Sequence, residues 1–341
     1  LVNAVFEVVQ KEEGAEHSVQ DALVQLLDAM LLQEDFTSIN HIVTKLKSLE
    51  RDPAKGAFYT ALRESFVARM GEEERIRKIG EILNTSRPED SKAIFRYLFN
   101  LDSSAVVPLL EVLERIEIQE NRQVICDALV AIGAETPDPF VHRLESDKSQ
   151  LVRDMIYIID RIDFPDKAKM FKKVLRNPNL AVRLEALNII ANSRTEECRQ
   201  LVVECLSDPN PQMRIQAARA LPQYDKQLAY VELSRLVRDS EFQKRDFKEK
   251  FQVYQALGST QQQGALAFFN SLLQQKSLFG KKKQQEDKLL AIGGLSQFAS
   301  IPSFKLLKAV SEDTSNPAEL RQAAHRGMLH VRKQLFGEEG A

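Results

Sequence analysis

The segment Asp208-Pro-Asn-Pro-Gln-Met-Arg214-Ile-Gln-Ala-Ala-Arg-Ala-Leu221 reads as a turn that launches a helix. Asn210 offers an N-cap and Pro211 suits the first helical position, where a missing amide costs nothing. From Arg214, small or apolar residues stand three, four, six and seven places on, which is one face of a helix. The phrase recurs at Arg122, Arg153 and Arg183, at intervals of 31, 30 and 31 residues up to Arg214. Looser copies open at Lys250, Lys288 and Arg321, and polar Lys/Gln-rich inserts lengthen the intervals before the first two. A period of this size marks stacked units, each too small to bury its apolar face alone.

Each copy is the second helix of a pair. First helices lie just upstream, with apolar residues at helical spacing such as Leu109, Leu110 and Leu113, or Leu201, Val202, Cys205 and Leu206. Asn316-Pro317 repeats the cap signal, with Glu319 placed for a capping box. No convincing period-2 run or Asn-Gly hairpin suggests a strand. Before residue 105 the phrase fades while helical periodicity continues near 18–33, 37–49, 54–70, 73–84 and 90–100; Ala93, Phe95, Leu98 and Phe99 look like a degenerate unit. The expected division is an atypical helical part, 1–104, stacked on an array over 105–336, then a frayed tail, 337–341. Because the chain opens on Leu1, it suits a piece of a larger protein.

With these features in place, the chain resembles the HEAT repeats. The match runs over about residues 105–335 and is best at 208–221, which is similar to the family phrase Asp-x-x-x-x-Val-Arg-x-x-Ala-x-x-Ala-Leu, with Met213 in the Val place. The resemblance implies an all-α, right-handed α-solenoid of antiparallel helix pairs. It also implies a ladder of Asp and Arg along the stacked turns, here Asp208 with Arg214 and Asp147 with Arg153. Arg183 would continue the ladder, weakened because Asn177 replaces the Asp. Most such arrays bind proteins, but a fold alone assigns no function.

Charged residues make up 28% and hydrophobic ones 43%, as in a folded globular chain. A net charge of −2 gives no global drive towards nucleic acid or anionic membrane, so binding of either would need a local patch. Cys126, Cys198 and Cys205 sit among apolar helix positions and read as small core residues in a reducing, cytoplasmic setting. No apolar run of membrane-spanning length occurs.

The sequence offers no catalytic constellation, cofactor motif or metal site, and the expectation is a chain that is not an enzyme. HEAT-like hydroxylases carry His-Glu dyads; His17, His41, His142, His325 and His330 form none. HEAT-like DNA glycosylases use Trp beside a basic groove, and this chain has no Trp.

Two surface candidates remain. On a helical wheel, Gln216, Arg219 and Gln223 point away from the core, as do Glu185, Asn188 and Asn192. The unit opening at Arg153 instead directs Met155, Ile158 and Ile162 outward and Asp160 inward. Either that helix is rotated by a residue or packed on both faces, or the trio is an apolar protein-binding patch. Lys276 and Lys281, Lys282 and Lys283 form a cationic insert beside Phe279, which is either a solvated loop or a docking loop. Leu1, Val2, Val5, Phe6, Val8 and Val9 give an apolar opening face suited to self-association or to packing on residues 16–33. The leading expectation is a scaffold for protein partners. The alternatives are nucleic-acid binding through Arg122, Arg153, Arg183 and Arg214, or a docking region of a larger enzyme or signalling protein.

Overall fold

Short polar caps start eight of the described helices. Side chains of Asp35, Asn179, Thr195, Asn210, Asp225, Asp239, Asp246 and Ser300 each accept from an amide two or three residues on, satisfying donors that the first turn leaves open. The computed structural model describes residues 16–337 except 86–90, 163, 165, 194 and 276–280. The expectations for Leu1–Val9, Lys276 and Phe279, and for the tail past Gly337, lie outside the described residues.

Among the described residues the chain is all α-helical apart from turns and two 3-10 segments. In order these are α1 (Glu16–Leu32), α2 (Phe36–Leu49), α3 (Gly56–Met70), α4 (Glu73–Thr85), α5 (Ser91–Phe99), α6 (Val106–Leu113), α7 (Gln119–Ile132), α8 (Asp138–Arg143), α9 (Ser149–Arg161) and α10 (Lys167–Val174). There follow α11 (Leu180–Asn192), α12 (Glu196–Glu204), α13 (Pro211–Tyr224), α14 (Lys226–Leu236), α15 (Ser240–Gln243), α16 (Phe247–Ser259), α17 (Gln263–Gln274), α18 (Lys281–Ser296), α19 (Ile301–Glu312) and α20 (Ala318–Phe336). The packing divides into two units, Leu1–Lys173 and Val174–Ala341. The sequence boundary at 104 marks where the repeat phrase begins, which is a different property from where packing divides.

In the first unit the second helices form a row, α2 on α5, α5 on α7 and α7 on α9. In the second unit the row is α11, α13, α16, α18 and α20, with α12, α14, α17 and α19 against it as first helices. The offsets read from sequence hold in the core: Ala217, Ala218, Ala220 and Leu221 of α13 are buried, as are Val253, Tyr254, Ala256 and Leu257 of α16. Asn316 behaves differently from its expected role. Its amide donates to the Val310 carbonyl and to Asp313, closing the end of α19, and Pro317 takes the cap position of α20 without a side-chain bond.

The basic residue that opens the phrase ties three places together. Arg122 donates to the Leu113 carbonyl at 2.8 Å and to that of Ile116, then pairs with Asp154 on α9. Arg183 donates to the Asn177 carbonyl at 3.0 Å and reaches Asp208 at 3.4 Å. Arg214 donates to the carbonyls of Asp208 and Pro209 at 2.8 and 2.9 Å and grips both carboxylate oxygens of Glu249 at 2.7 and 2.5 Å. Lys250 bonds the Gln243 carbonyl at 3.2 Å and pairs with Glu286. A cation near a helix N-terminus opposes the macrodipole, but here it reaches back to carbonyls that close the preceding segment and forward to an acid of the next pair.

This geometry corrects the register of the ladder. The Asp208 carboxylate serves Arg183 of the preceding pair, whereas Arg214 takes Glu249 of the following pair. Asp147 and Arg153 are both exposed, and the buried acid of that unit is Asp154, next to Arg153 in sequence. An amide side chain makes a similar bridge twice: Asn84 joins the Arg115 carbonyl and the Glu117 amide, and Gln261 joins the Gln297 carbonyl and the Ala299 amide.

Two predictions follow from this packing. At Gly258 on α16, an added Cβ would stand 2.0 Å from the Gly294 carbonyl oxygen of α18. Gly258→Ala, which in an open helix gains about 1 kcal/mol, should here lose about 1–3 kcal/mol, read as a lower denaturant midpoint. Glu249 is buried, which alone would raise its pKa, but hydrogen bonds from Arg214 and Arg245 outweigh that and hold it below the ordinary 4.5. Its stabilising contribution is therefore complete above that value and is lost as pH falls through the lowered folded-state value. Glu249→Gln should flatten the acid limb of a stability–pH curve below about pH 4.5. It should not abolish that limb, because Arg69 and Arg75 likewise hold Glu72 low against its own burial.

Candidate functional site

The exposed Met/Ile patch expected on α9 does not exist. Met155 and Ile158 are 0% exposed and Ile162 is 4% exposed, while Asp160 points to solvent. The helix is rotated by about one residue, or ~100°, from the sequence reading. That rotation puts the apolar face Leu151, Val152, Met155, Ile156, Ile158 and Ile159 in the core, and Asp154 beside it pairs with Arg122. Lys281, Lys282 and Lys283 are exposed, but they form the first turn of α18 and not a loop. Burial holds the Asp287 carboxyl above its usual range, and Lys283 one turn earlier offsets this only in part.

The solvent face of the second helices in the second unit is polar, as the wheel predicts. Gln216 of α13 donates to Asn188 of α11 at 2.9 Å, and Arg219 donates to Gln252 of α16 at 3.0 Å. These side chains spend their hydrogen bonds on one another. A groove of about 410 Å³ runs along Leu266, Asn270, Pro302 and Leu306, and another of about 390 Å³ along Arg321, Gln322, His325 and Arg326.

The largest of the three grooves described lies in the first unit, between α2 and α5. It has a volume of about 630 Å³ and is lined by Thr37, Asn40, His41 and Thr44 from α2, by Lys92, Ala93, Arg96 and Phe99 from α5, and by Asn100. Its walls are fixed. Buried Asn40 donates to the Ala93 carbonyl at 2.7 Å and accepts from Asn100 at 3.0 Å, while Phe36 and Tyr97 meet edge to face at 5.7 Å. The Tyr97 hydroxyl, buried, donates to the Met70 carbonyl at 2.8 Å and anchors α5 to the end of α3.

What distinguishes this groove is unspent chemistry. Elsewhere in the unit, Arg63, Arg69, Arg75, Arg77, Arg122 and Arg143 each meet a carboxylate. Among the described residues Lys92, Arg96 and His41 have no ion-pair partner, and none of those lining the groove is an acid. Phe99, one turn from Arg96, is 49% exposed. Sequence reading assigned Phe99 to a core face and missed the rest, because the two walls lie some 50 residues apart in the chain. The available signal was Lys92 and Arg96 at i,i+4 with no acid on their own helix.

Other chemistry finds little support. Among the described residues no group of three His, Cys, Asp or Glu side chains is placed to hold a metal ion. The three cysteines are free and buried, and burial is the main cause that pushes the Cys205 thiol up to about 12. No described helix is long and apolar enough to cross a membrane.

The sequence profile of the HEAT repeats matches residues 168–247. No curated protein matches the chain in sequence. Among solved structures, human deoxyhypusine hydroxylase in complex with glycerol is similar at 15% identity, TM-score 0.30, over 76% of this chain and 96% of that one. A chain of the Pds5–Scc1 complex is similar at 14% identity, TM-score 0.42, over 98% of this chain and 60% of that one. The segment 168–247, which contains stacked helix pairs and the Arg214 phrase, is thus HEAT-like in sequence.

Proposed function

We propose that this chain is a non-enzymatic scaffold that binds partner proteins on the exposed face of its second helices, in a reducing, cytoplasmic setting. The observation that carries the reading is the groove between α2 and α5, where Lys92, Arg96 and His41, without ion-pair partners among the described residues, converge with an exposed aromatic ring on hydrogen-bonded walls. Mixed Arg and aromatic surface of this kind is what protein interfaces use as anchors. The alternative through Arg122, Arg183 and Arg214 loses its basis, since these residues are bonded to carbonyls and acids of the array and are not presented to phosphates. The three buried free thiols support the reducing compartment.

The test is affinity capture from native cell extract with this chain as bait, at low and high salt, with and without nuclease. A defined protein retained at high salt and indifferent to nuclease is the expected result. Capture that is abolished by nuclease and by salt would replace the protein-binding reading with a nucleic-acid one.

A further inference from the structure

We infer that the groove between α2 and α5 takes a short acidic peptide segment carrying one aromatic or apolar side chain; this rests on the protein-binding reading above. The described lining supplies two permanent cations, Lys92 and Arg96, and an imidazole, His41, with no carboxylate among them. A guanidinium on a rigid helix suits a carboxylate, which it can hold in a bidentate fork. Thr37 and Thr44 add hydroxyls, and the Asn40–Asn100 pair holds the floor polar. Phe99 provides an apolar shelf beside Arg96, so a ligand of charge alone would leave half of the site unused.

Size and surroundings narrow the occupant. From Thr37 to Thr44 the α2 wall is two helical turns, roughly 10 Å, which is the span of about three extended residues. The next second helix, α7, presents Asp127, bonded to Tyr157 at 2.6 Å. A long polyanion continuing along the row would meet that carboxylate, whereas a short acidic segment confined to the groove would not. Two lysine or arginine charges also neutralise too few phosphates to hold nucleic acid at physiological salt. The similarly basic groove by Arg321 and Arg326 has Glu312, Asp313 and Glu319 in its adjoining turns and no exposed aromatic ring in its lining.

The test uses the full chain and a fluorescein-labelled peptide, Glu-Glu-Phe-Asp-Glu, followed by fluorescence anisotropy. Controls are the peptide with Lys at every acidic place, the peptide with Ala for Phe, and a labelled single-stranded oligonucleotide of equal charge. The parent chain should bind the acidic peptide, with weakening of about tenfold or more in a Lys92→Glu, Arg96→Glu variant. Phe99→Ala should weaken the acidic peptide several-fold and remove its preference over the Phe-less version. All three substituted positions are surface sites, so circular dichroism and the unfolding midpoint should match the parent. Equal binding by the charge-reversed variant, no binding by the parent, or tighter binding of the oligonucleotide would each overturn the inference. If the peptide fails while a salt-resistant protein is still captured equally by parent and charge-reversed variant, the groove assignment falls and the scaffold reading stands. If nothing salt-resistant is captured, the scaffold reading falls as well.

Discussion

The cation at the head of the second helix, at Arg122, Arg183, Arg214 and Lys250, is the constraint on which the stacking depends. A repeat of about 30 residues cannot close its own core, so something must fix one pair on the next. Arg214 does so with one side chain, closing carbonyls at Asp208 and Pro209 and holding Glu249 of the following pair. Removing one partner of such a buried pair leaves the other charge uncompensated, at a cost of about 3–5 kcal/mol. The lost contact itself is worth less than that. The arrangement therefore specifies register more than it adds stability. On α9 the acid sits at Asp154, buried next to the apolar face of the helix, where it meets Arg122.

Spending charge inside the array has a consequence for function. Six arginines of the first unit meet carboxylates, and the cations without one carry information. Lys92 and Arg96 have no ion-pair partner among the described residues and stand beside an exposed ring, on walls locked by Asn40, Asn100 and Tyr97. A preorganised groove spares a ligand the cost of ordering the surface that receives it.

Much of the fold was legible because the signals were local. Caps at Asn179 and Asn210, and the small residues Ala217 and Ala218, act through neighbours within a turn or two. The helices before residue 105 also fell where the periodicity placed them, although the phrase was gone. What failed were features decided at a distance. The α9 error was of another kind: Met155, Ile158 and Ile162 looked outward because the offsets were taken from Arg153, although the helix divides cleanly, with Leu151, Val152, Met155, Ile156, Ile158 and Ile159 buried and Gln150, Arg153 and Asp160 exposed. Asp208 and Arg214 were paired with each other because they are close in sequence, yet each carboxylate serves the pair before it. The groove was invisible for the same reason, since neither wall alone has a motif.

The account stands on the claim that the repeated basic residues are structural ties between neighbouring pairs, which leaves recognition to other groups. A double-mutant cycle with Arg214→Ala, Glu249→Ala and their combination, followed by denaturant unfolding, tests it most directly. The account predicts a coupling energy of about 1–3 kcal/mol, the double variant losing clearly less than the two single losses added together. Additive losses within about 0.5 kcal/mol would contradict it, and would return these arginines to the surface as candidates for ligand contact.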